Sequence, residues 1–314
     1  MKEIIAFVAK ISVEEQGEWL DEISKQLLDC EVIAFDLLSK AQKINTKVAI
    51  VANPSAEQLK ELTNLQWVQS LWAGVEQLLS VLPNQEIKIV RMTDPMMSAT
   101  MAEAVLAWSL YLYRDMPAYR EQQNNKLWQQ QRLKPIDECT ISILGLGKLG
   151  KASALKLKQV GFSVNGWSRS ATTIDGIYCF HGEDGLNQML PKTSILVCLL
   201  PLTNSTKNLL NSKLLSQLPK DASLINFARG AIVNESELVQ ALESEHLKHA
   251  VLDVFNVEPL PVNNPLWESQ KVTVLPHISA PTNLKTASKL VAENIRQYFD
   301  SGDIPMSVKF AKGY

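Results

Sequence analysis

Thr140-Ile-Ser-Ile-Leu-Gly-Leu-Gly-Lys-Leu-Gly150 decides the fold of this chain. An apolar, strand-like run ending at Leu144 leads straight into Gly145-Leu-Gly-Lys-Leu-Gly150, and Lys148–Val160 continues at helical spacing. Strand, glycine turn and helix together form the context in which G-x-G-x-x-G marks a dinucleotide site. Gly145 allows the tight turn, Gly147 lets backbone approach a pyrophosphate, and Gly150 lets the helix pack close to the strand. The amides of Lys148 and Leu149 then face the phosphates from a helix N-terminus, where the dipole favours anions.

The next strand, Ser163–Trp167, runs into Ser168-Arg169-Ser170. A site for a cofactor with a free ribose 2′-OH usually carries an acid at this strand end. Here a neutral Ser168, an Arg169 whose planar fork matches phosphate oxygens, and hydroxyls at Ser170, Thr172 and Thr173 stand instead. The missing acid and the present Arg both point to NADP(H), with NAD(H) as the alternative cofactor. A solvent-exposed loop Arg is the bland alternative for Arg169.

Around this unit the apolar runs alternate with helical spacing. Before it come the strand candidates Ile4–Val8, Val32–Phe35, Val48–Ala52 and Ile87–Arg91, with helical spacing over Glu14–Leu28 and Ala56–Leu62. After it come Ile195–Leu200, Ser223–Phe227, Ala250–Phe255 and Val272–Leu275, interleaved with helix candidates Leu186–Leu190, Asn211–Leu218 and Glu235–Leu242. Counted from Thr140, that is roughly six strands, the size of a complete dinucleotide-binding sheet. The alternation predicts an α/β fold with parallel sheets covered by helices. Met101–Tyr113 is apolar nearly all round and predicts a buried helix between domains or at a subunit contact. A polar run, Arg120–Arg132, follows with Trp128 as its one large apolar residue, and Leu284–Phe299 reads as a last amphipathic helix.

Composition narrows the function classes. The chain has 314 residues, 46% hydrophobic and 20% charged, with a net charge of −2. That suits two folded domains with sizeable cores and no nucleic-acid partner. No apolar stretch approaches the ~20 residues of a membrane span, and the start of the chain has no signal-peptide pattern. Cys30, Cys139, Cys179 and Cys198 form no C-x-x-C pair and have no metal-ligand spacing, so no metal site is expected. Cys139 and Cys198 sit at or within strand-like runs and are expected to be buried free thiols in a reducing, cytoplasmic setting.

Three polar residues sit at strand ends or loops downstream of the glycine turn: Arg229 in Asn226-Phe-Ala-Arg-Gly230, Glu258 in Asn256-Val-Glu-Pro259, and His277 in Pro276-His-Ile-Ser279. Ligands of open α/β sheets collect at the carboxyl ends of strands, so all three could face one cleft beside a nicotinamide. His277 suits a proton donor, since the ordinary histidine pKa lies near working pH. Glu258 on its other ring nitrogen would hold the ring and favour imidazolium. Arg229 would clamp a substrate carboxylate and polarise a carbonyl. Taken singly, each has an ordinary structural reading: a satisfied histidine, a turn acid, a surface Arg-Gly. His181, His246 and His249 lack such context and are expected to be loop and surface histidines.

In series, Leu200-Pro-Leu-Thr203, Asn226-Phe-Ala-Arg-Gly230, Leu252-Asp-Val-Phe255, Val257-Glu-Pro-Leu260 and Leu275-Pro-His-Ile278 resemble the D-2-hydroxyacid dehydrogenases over nearly the whole chain. Trp167-Ser168-Arg169, Leu71-Trp-Ala-Gly-Val75 and the closing Lys312-Gly-Tyr314 further resemble the glyoxylate/hydroxypyruvate reductase A branch. The resemblance implies Arg229, Glu258 and His277 as the catalytic set. It also implies cofactor contacts from Leu200, Pro201, Thr206 and Ala228, with Asp253 accepting from the nicotinamide carboxamide. It implies that the Trp72-Ala73-Gly74 loop binds the substrate carboxylate through backbone amides, with Trp72 walling a small pocket. A core Trp beside a turn glycine is the alternative for Trp72.

The expected architecture is two Rossmann-like domains. A discontinuous, flavodoxin-like substrate domain takes residues 1–98 and 285–314, and a doubly wound dinucleotide-binding domain takes 99–284. Closure about the crossing helices would exclude water. The resemblance implies NADPH-dependent reduction of small 2-oxo acids such as glyoxylate and hydroxypyruvate, in a homodimer. The alternatives are a cofactor-binding sensor on the same fold, which fold alone does not separate, and a dehydrogenase of a larger 2-hydroxy acid. Pocket size discriminates weakly, at ~1–3 kcal/mol per methylene. Phosphoglycerate and formate dehydrogenase are disfavoured: no surplus of basic residues flanks residue 74, and formate oxidation needs no proton donor.

Overall fold

The apolar run at 140–144 forms a strand, and Lys148–Val160 forms a helix with Gly147 at its N-cap. The helix stops at Gly161, whose left-handed φ of 109° suits a residue without a Cβ. The structure is a computed structural model and describes residues 2–82, 84 and 86–309. The chain divides into two units, Met1–Met96 with Thr282–Tyr314, and Met97–Pro281. The closing Lys312-Gly-Tyr314 lies outside the described residues.

The first unit carries β1 (Glu3–Ala9), β2 (Cys30–Ala34), β3 (Val48–Ala52), β4 (Trp67–Ser70) and β5 (Lys88–Val90). They form one parallel sheet in the order β2-β1-β3-β4-β5, the flavodoxin-like order. The closing helix, Leu284–Ser301, returns to this sheet: Asn294 Nδ2 donates to Gln69 Oε1 at 2.8 Å, and the Tyr298 hydroxyl donates to Gln66 Oε1 at 2.6 Å. Gln69 is fully buried, and its own amide donates to the Ser70 and Val90 carbonyls, so this polar group inside the core is satisfied.

The second unit carries β6 (Thr140–Leu144), β7 (Ser163–Ser168), β8 (Tyr178–His181), β9 (Ile195–Cys198), β10 (Ala222–Asn226), β11 (Leu247–Leu252) and β12 (Val272–Val274). All pair in parallel, in the order β12-β11-β10-β9-β6-β7-β8. Alternate residues of the central strands feed opposite faces. Ile141, Ile143, Ile195, Val197, Ile225 and Val251 enter one core, while Leu144, Leu196, Cys198, Leu224, Ala250 and Leu252 enter the other. Strands buried on both faces read as continuous apolar runs, as these do.

The order places the switch between β6 and β9, because the chain proceeds outward from β6 through β7 and β8, then returns to β9 on its other side. That is where doubly wound sheets open a crevice at their carboxyl edge.

Three expectations are corrected here. The sheet has seven strands rather than roughly six. The extra one is β8, a four-residue edge strand whose Tyr178 is exposed, so it carries no apolar run to read. The apolar helix starts at Pro95 rather than Met101, with Asp94 Oδ1 accepting the Met96 amide at its start. It buries only one stripe, Met97, Met101, Ala102, Val105 and Ser109, while Leu106, Trp108, Leu110 and Leu112 remain partly exposed. Finally, His249 is not a surface histidine. It lies on β11 at 4% exposure, its Nε2 is 2.9 Å from Thr273 Oγ1, and burial pushes its pKa down to about 4. Cys139 and Cys198 are buried, and burial raises their thiols to about 11 and about 12.

Candidate active site

The glycine turn has the geometry that its spacing requires. Gly145 adopts φ 102°, and a Cβ there would meet the Leu199 carbonyl oxygen at 2.9 Å, across the switch between β6 and β9. A Cβ on Gly150 would lie 1.8 Å from the Gly145 carbonyl oxygen, so only glycine lets the helix close on the turn. At Gly147 nothing lies within 4 Å of where a Cβ would be. Gly147 and Lys148 are exposed and head a helix of thirteen residues. The turn therefore offers open space bounded by backbone at a helix N-terminus, which fits a dinucleotide pyrophosphate.

Ser168 ends β7 and pairs with His181 of β8. Its hydroxyl donates to the Ser170 carbonyl at 2.7 Å, so it closes the turn carrying the exposed Arg169. Trp167 is buried beneath, its indole nitrogen donating to the Gly182 carbonyl at 2.7 Å. The Leu200 side chain is buried in the core. The Thr206 hydroxyl donates to the Pro201 carbonyl at 2.7 Å and accepts the Thr203 amide at 2.8 Å, folding the loop after β9 on itself.

Beyond β10 a side chain missed by sequence reasoning shapes the turn. Asn226 is buried at 1% exposure; its Oδ1 accepts the Ala228 amide at 3.2 Å and its Nδ2 donates to the Arg229 carbonyl at 3.1 Å. An Asn at a strand end, bonding backbone two residues on, is an Asx-type turn, and the Asn was there to be read. Arg229 is half-buried, and its Nη1 donates to the Ala228 carbonyl at 2.6 Å. Gly230 follows, and a Cβ on it would lie 2.0 Å from the Phe255 carbonyl carbon and 2.4 Å from the Asn256 nitrogen. The Arg229 turn thus lies backbone to backbone against the loop after β11.

That loop supplies the acid. Glu258 Oε1 accepts the Phe255 amide at 2.9 Å, and Oε2 lies 2.8 Å from His277 Nδ1. A carboxylate only accepts, so Nδ1 donates and Nε2 is the nitrogen left for a ligand. His277 follows β12 and holds a left-handed φ of 55°, uncommon for a residue with a Cβ. Asp253, at 2% exposure, accepts the Ile278 amide on Oδ1 at 2.7 Å and the Ser279 amide on Oδ2 at 2.9 Å.

Five adjacent strand ends of the second unit therefore carry the glycine turn after β6, Leu200 to Thr206 after β9, Arg229 after β10, Asp253 and Glu258 after β11, and His277 after β12. The turn at Arg169 follows β7 on the same edge. Trp72, Ala73 and Gly74 belong to the first unit, after β4. The Ser70 hydroxyl accepts the Trp72 amide at 3.0 Å. The Trp72 indole nitrogen donates to Asn53 Oδ1 at 3.1 Å, and its ring meets Trp19 edge-on at 6.3 Å. Trp72 is thus held by polar and aromatic partners at half burial rather than packed as an ordinary core Trp.

Residues 106–279 match the family described as D-isomer specific 2-hydroxyacid dehydrogenase, NAD binding domain. A glyoxylate/hydroxypyruvate reductase A of Yersinia enterocolitica is 40% identical over 274 residues, covering 85% of this chain and 87% of the relative. A D-isomer specific 2-hydroxyacid dehydrogenase of Xanthobacter autotrophicus, solved with NADPH and MES, superposes with TM-score 0.92 at 34% identity, covering 100% of both chains. An NADPH-dependent glyoxylate/hydroxypyruvate reductase of Sinorhizobium meliloti, solved with NADP and sulfate, superposes with TM-score 0.91 at 28% identity, again over 100% of both chains.

Proposed function

The chain belongs to the D-isomer specific 2-hydroxyacid dehydrogenase family, and on that premise we propose that it reduces glyoxylate and hydroxypyruvate with NADPH. The observation that carries the reading is the His277–Glu258 pair at 2.8 Å, one strand end from the Arg229 turn on the sheet edge that bears the glycine turn. The bound nicotinamide supplies the hydride; the protein supplies position, charge and a proton.

Arg229 takes the substrate carboxylate and draws electron density toward the carbonyl oxygen. His277 donates from Nε2 to that oxygen as it becomes the hydroxyl. Glu258 holds the ring by Nδ1, so that Nε2 is the nitrogen presented to the carbonyl oxygen. A donor so placed contributes about 10²–10⁴ in rate.

The amides of Lys148 and Leu149 at Gly147 receive the pyrophosphate, and Arg169 receives the 2′-phosphate. The Ala73 and Gly74 amides are assigned to the substrate carboxylate; the Trp72 amide is already committed to Ser70. Held by Asn53 and Trp19, the Trp72 ring limits substrate size.

The domain roles follow the two units, whose boundaries fall two to three residues before those expected from the sequence: Met1–Met96 with Thr282–Tyr314 for substrate, Met97–Pro281 for the dinucleotide. A homodimer is supported by the apolar face that Pro95–Tyr113 leaves partly exposed and by Leu127 and Trp128, at 53% and 97% exposure, on the segment after it. Four free cysteines support a cytoplasmic setting. The test is turnover of glyoxylate with NADPH by the parent and by His277→Ala; an unchanged rate in the variant removes His277 as the donor.

A further inference from the structure

We propose that Asp253 is a positioning residue for His277, acting through the backbone of the loop that carries the histidine. This rests on the reading of His277 as the proton donor and goes beyond it.

Residues 277, 278 and 279 are each tied to the single loop after β11. Glu258 takes the His277 ring at 2.8 Å, and the two oxygens of Asp253 take the amides of Ile278 and Ser279 at 2.7 and 2.9 Å. Asp253 is itself fixed, because it is buried at 2% exposure and its own amide donates to the Asn226 carbonyl at 3.1 Å. One loop therefore sets both the ring of the histidine, through position 258, and its main chain, through position 253.

The need for a main-chain hold follows from the backbone. His277 stands at φ 55°, in the left-handed region that costs a residue with a Cβ energy even though histidine enters it more readily than most, so the surrounding structure must hold it there. Two successive amides turned toward one buried carboxylate give charge-assisted hydrogen bonds, stronger than neutral ones. They supply that support at the residues next to the strained one. Without them the loop can relax toward an ordinary backbone, and Nε2 leaves its place even with Glu258 intact.

Asparagine at 253 keeps the shape but not the bonding. Its one oxygen can serve one amide, and its NH2 then faces the other, donor against donor. A displacement of about 1 Å in a reacting group costs about 10²-fold in rate.

A role confined to holding the nicotinamide carboxamide predicts different behaviour. Asp253→Asn would then weaken NADPH binding and would slow turnover with or without His277.

The experiment compares the parent, Asp253→Asn, His277→Ala and the double variant. It reads kcat for glyoxylate, the NADPH dissociation constant by protein fluorescence, and amide hydrogen exchange at residues 276–280. A fall in kcat of about 10²-fold in Asp253→Asn is expected, larger than any loss of NADPH affinity that accompanies it. In the His277→Ala background the same change should cost almost nothing, the non-additivity of residues acting as a unit. Protection at Ile278 and Ser279 should be high in the parent and lost in Asp253→Asn.

Equal rate losses in both backgrounds, or a large loss of NADPH affinity at unchanged kcat, overturns the proposal. Should Asp253→Asn fail to fold, the parent decides alone, since rapid exchange at both amides in the folded protein also overturns it. A parent inactive on glyoxylate would overturn the functional reading instead; the exchange data would still decide the brace.

Discussion

Nδ1 of His277 lies 2.8 Å from Oε2 of Glu258, and the other oxygen of that carboxylate accepts the Phe255 amide at 2.9 Å. The acid is aimed by its own backbone, so it does not have to choose between bonding the ring and bonding elsewhere. Replacing it with Gln leaves one acceptor for two donors. Glu258→Gln should lower kcat for glyoxylate reduction about 10²-fold, at the lower end of what a general acid contributes. If Arg229 holds the carboxylate, the KM for the oxo acid should move little. Steady-state kinetics check this, and a kcat equal to the parent's would contradict it.

Gly230 shows how closely the Arg229 turn meets that loop. A methyl group there would overlap the Phe255 carbonyl carbon at 2.0 Å, and backbone, unlike a flexible side-chain end, cannot swing away. Gly230→Ala should destabilise the protein by about 1–3 kcal/mol, as overpacking does. It should also lower kcat, because Phe255 anchors Glu258. Thermal melting and turnover measured together test it; an unchanged melting temperature with full activity would refute the close approach.

Arg169 stands on the turn that the Ser168 hydroxyl closes. If it reads the 2′-phosphate, Arg169→Ala removes a charge-assisted bond worth about 1.5–3 kcal/mol. NADPH should then bind roughly ten- to a hundredfold more weakly, while NADH, which lacks that phosphate, is nearly unaffected. Titration with each cofactor decides; equal losses for both would show that Arg169 does not make the contact.

His249 gives the fold a pH dependence. Burial holds its imidazole neutral, down from 6.5 to about 4, with Asp115 opposing and Lys248 reinforcing the shift. Its ring sits against Thr273 and edge-on to Tyr111. The unfolded chain takes up a proton near pH 6.5 that the folded chain refuses until about 4. Stability from this group is therefore complete above pH 6.5 and declines as pH falls toward 4, by at most about 3 kcal/mol. Urea midpoints measured across that range should show the slope, and His249→Gln should flatten it. An identical slope in the variant would place its origin elsewhere.

The legibility of the chain followed from where the physics is local. The strand Thr140–Leu144 and the helix Lys148–Val160 could be bounded to the residue because an apolar run, three glycines and a helical period all end sharply there. Strand β8 has no such signal, for an exposed edge strand of four residues needs no apolar alternation. The helix Lys40–Asn45 did leave a signal, the Ser39–Gln42 capping box, but its six residues bury no side chain and show no apolar face. His249 read as surface because its partners, Thr273 and Tyr111, are distant in sequence. Arg229, Glu258 and His277 were recognisable as residue types at strand ends. Asn226 acts within its own turn and was readable there, whereas Gly230 and the two amides on Asp253 depend on which strands lie side by side, and only the sheet order reveals that.

Hydride transfer from NADPH to a small 2-oxo acid is tested most directly by kcat/KM compared between NADPH and NADH. The panel is glyoxylate, hydroxypyruvate, pyruvate and phenylpyruvate. Efficient reduction of glyoxylate and hydroxypyruvate with NADPH, and at least about tenfold less with NADH, is the predicted result, a tenfold ratio corresponding to about 1.4 kcal/mol. A preference for NADH, or no turnover of either small oxo acid with NADPH, would contradict it.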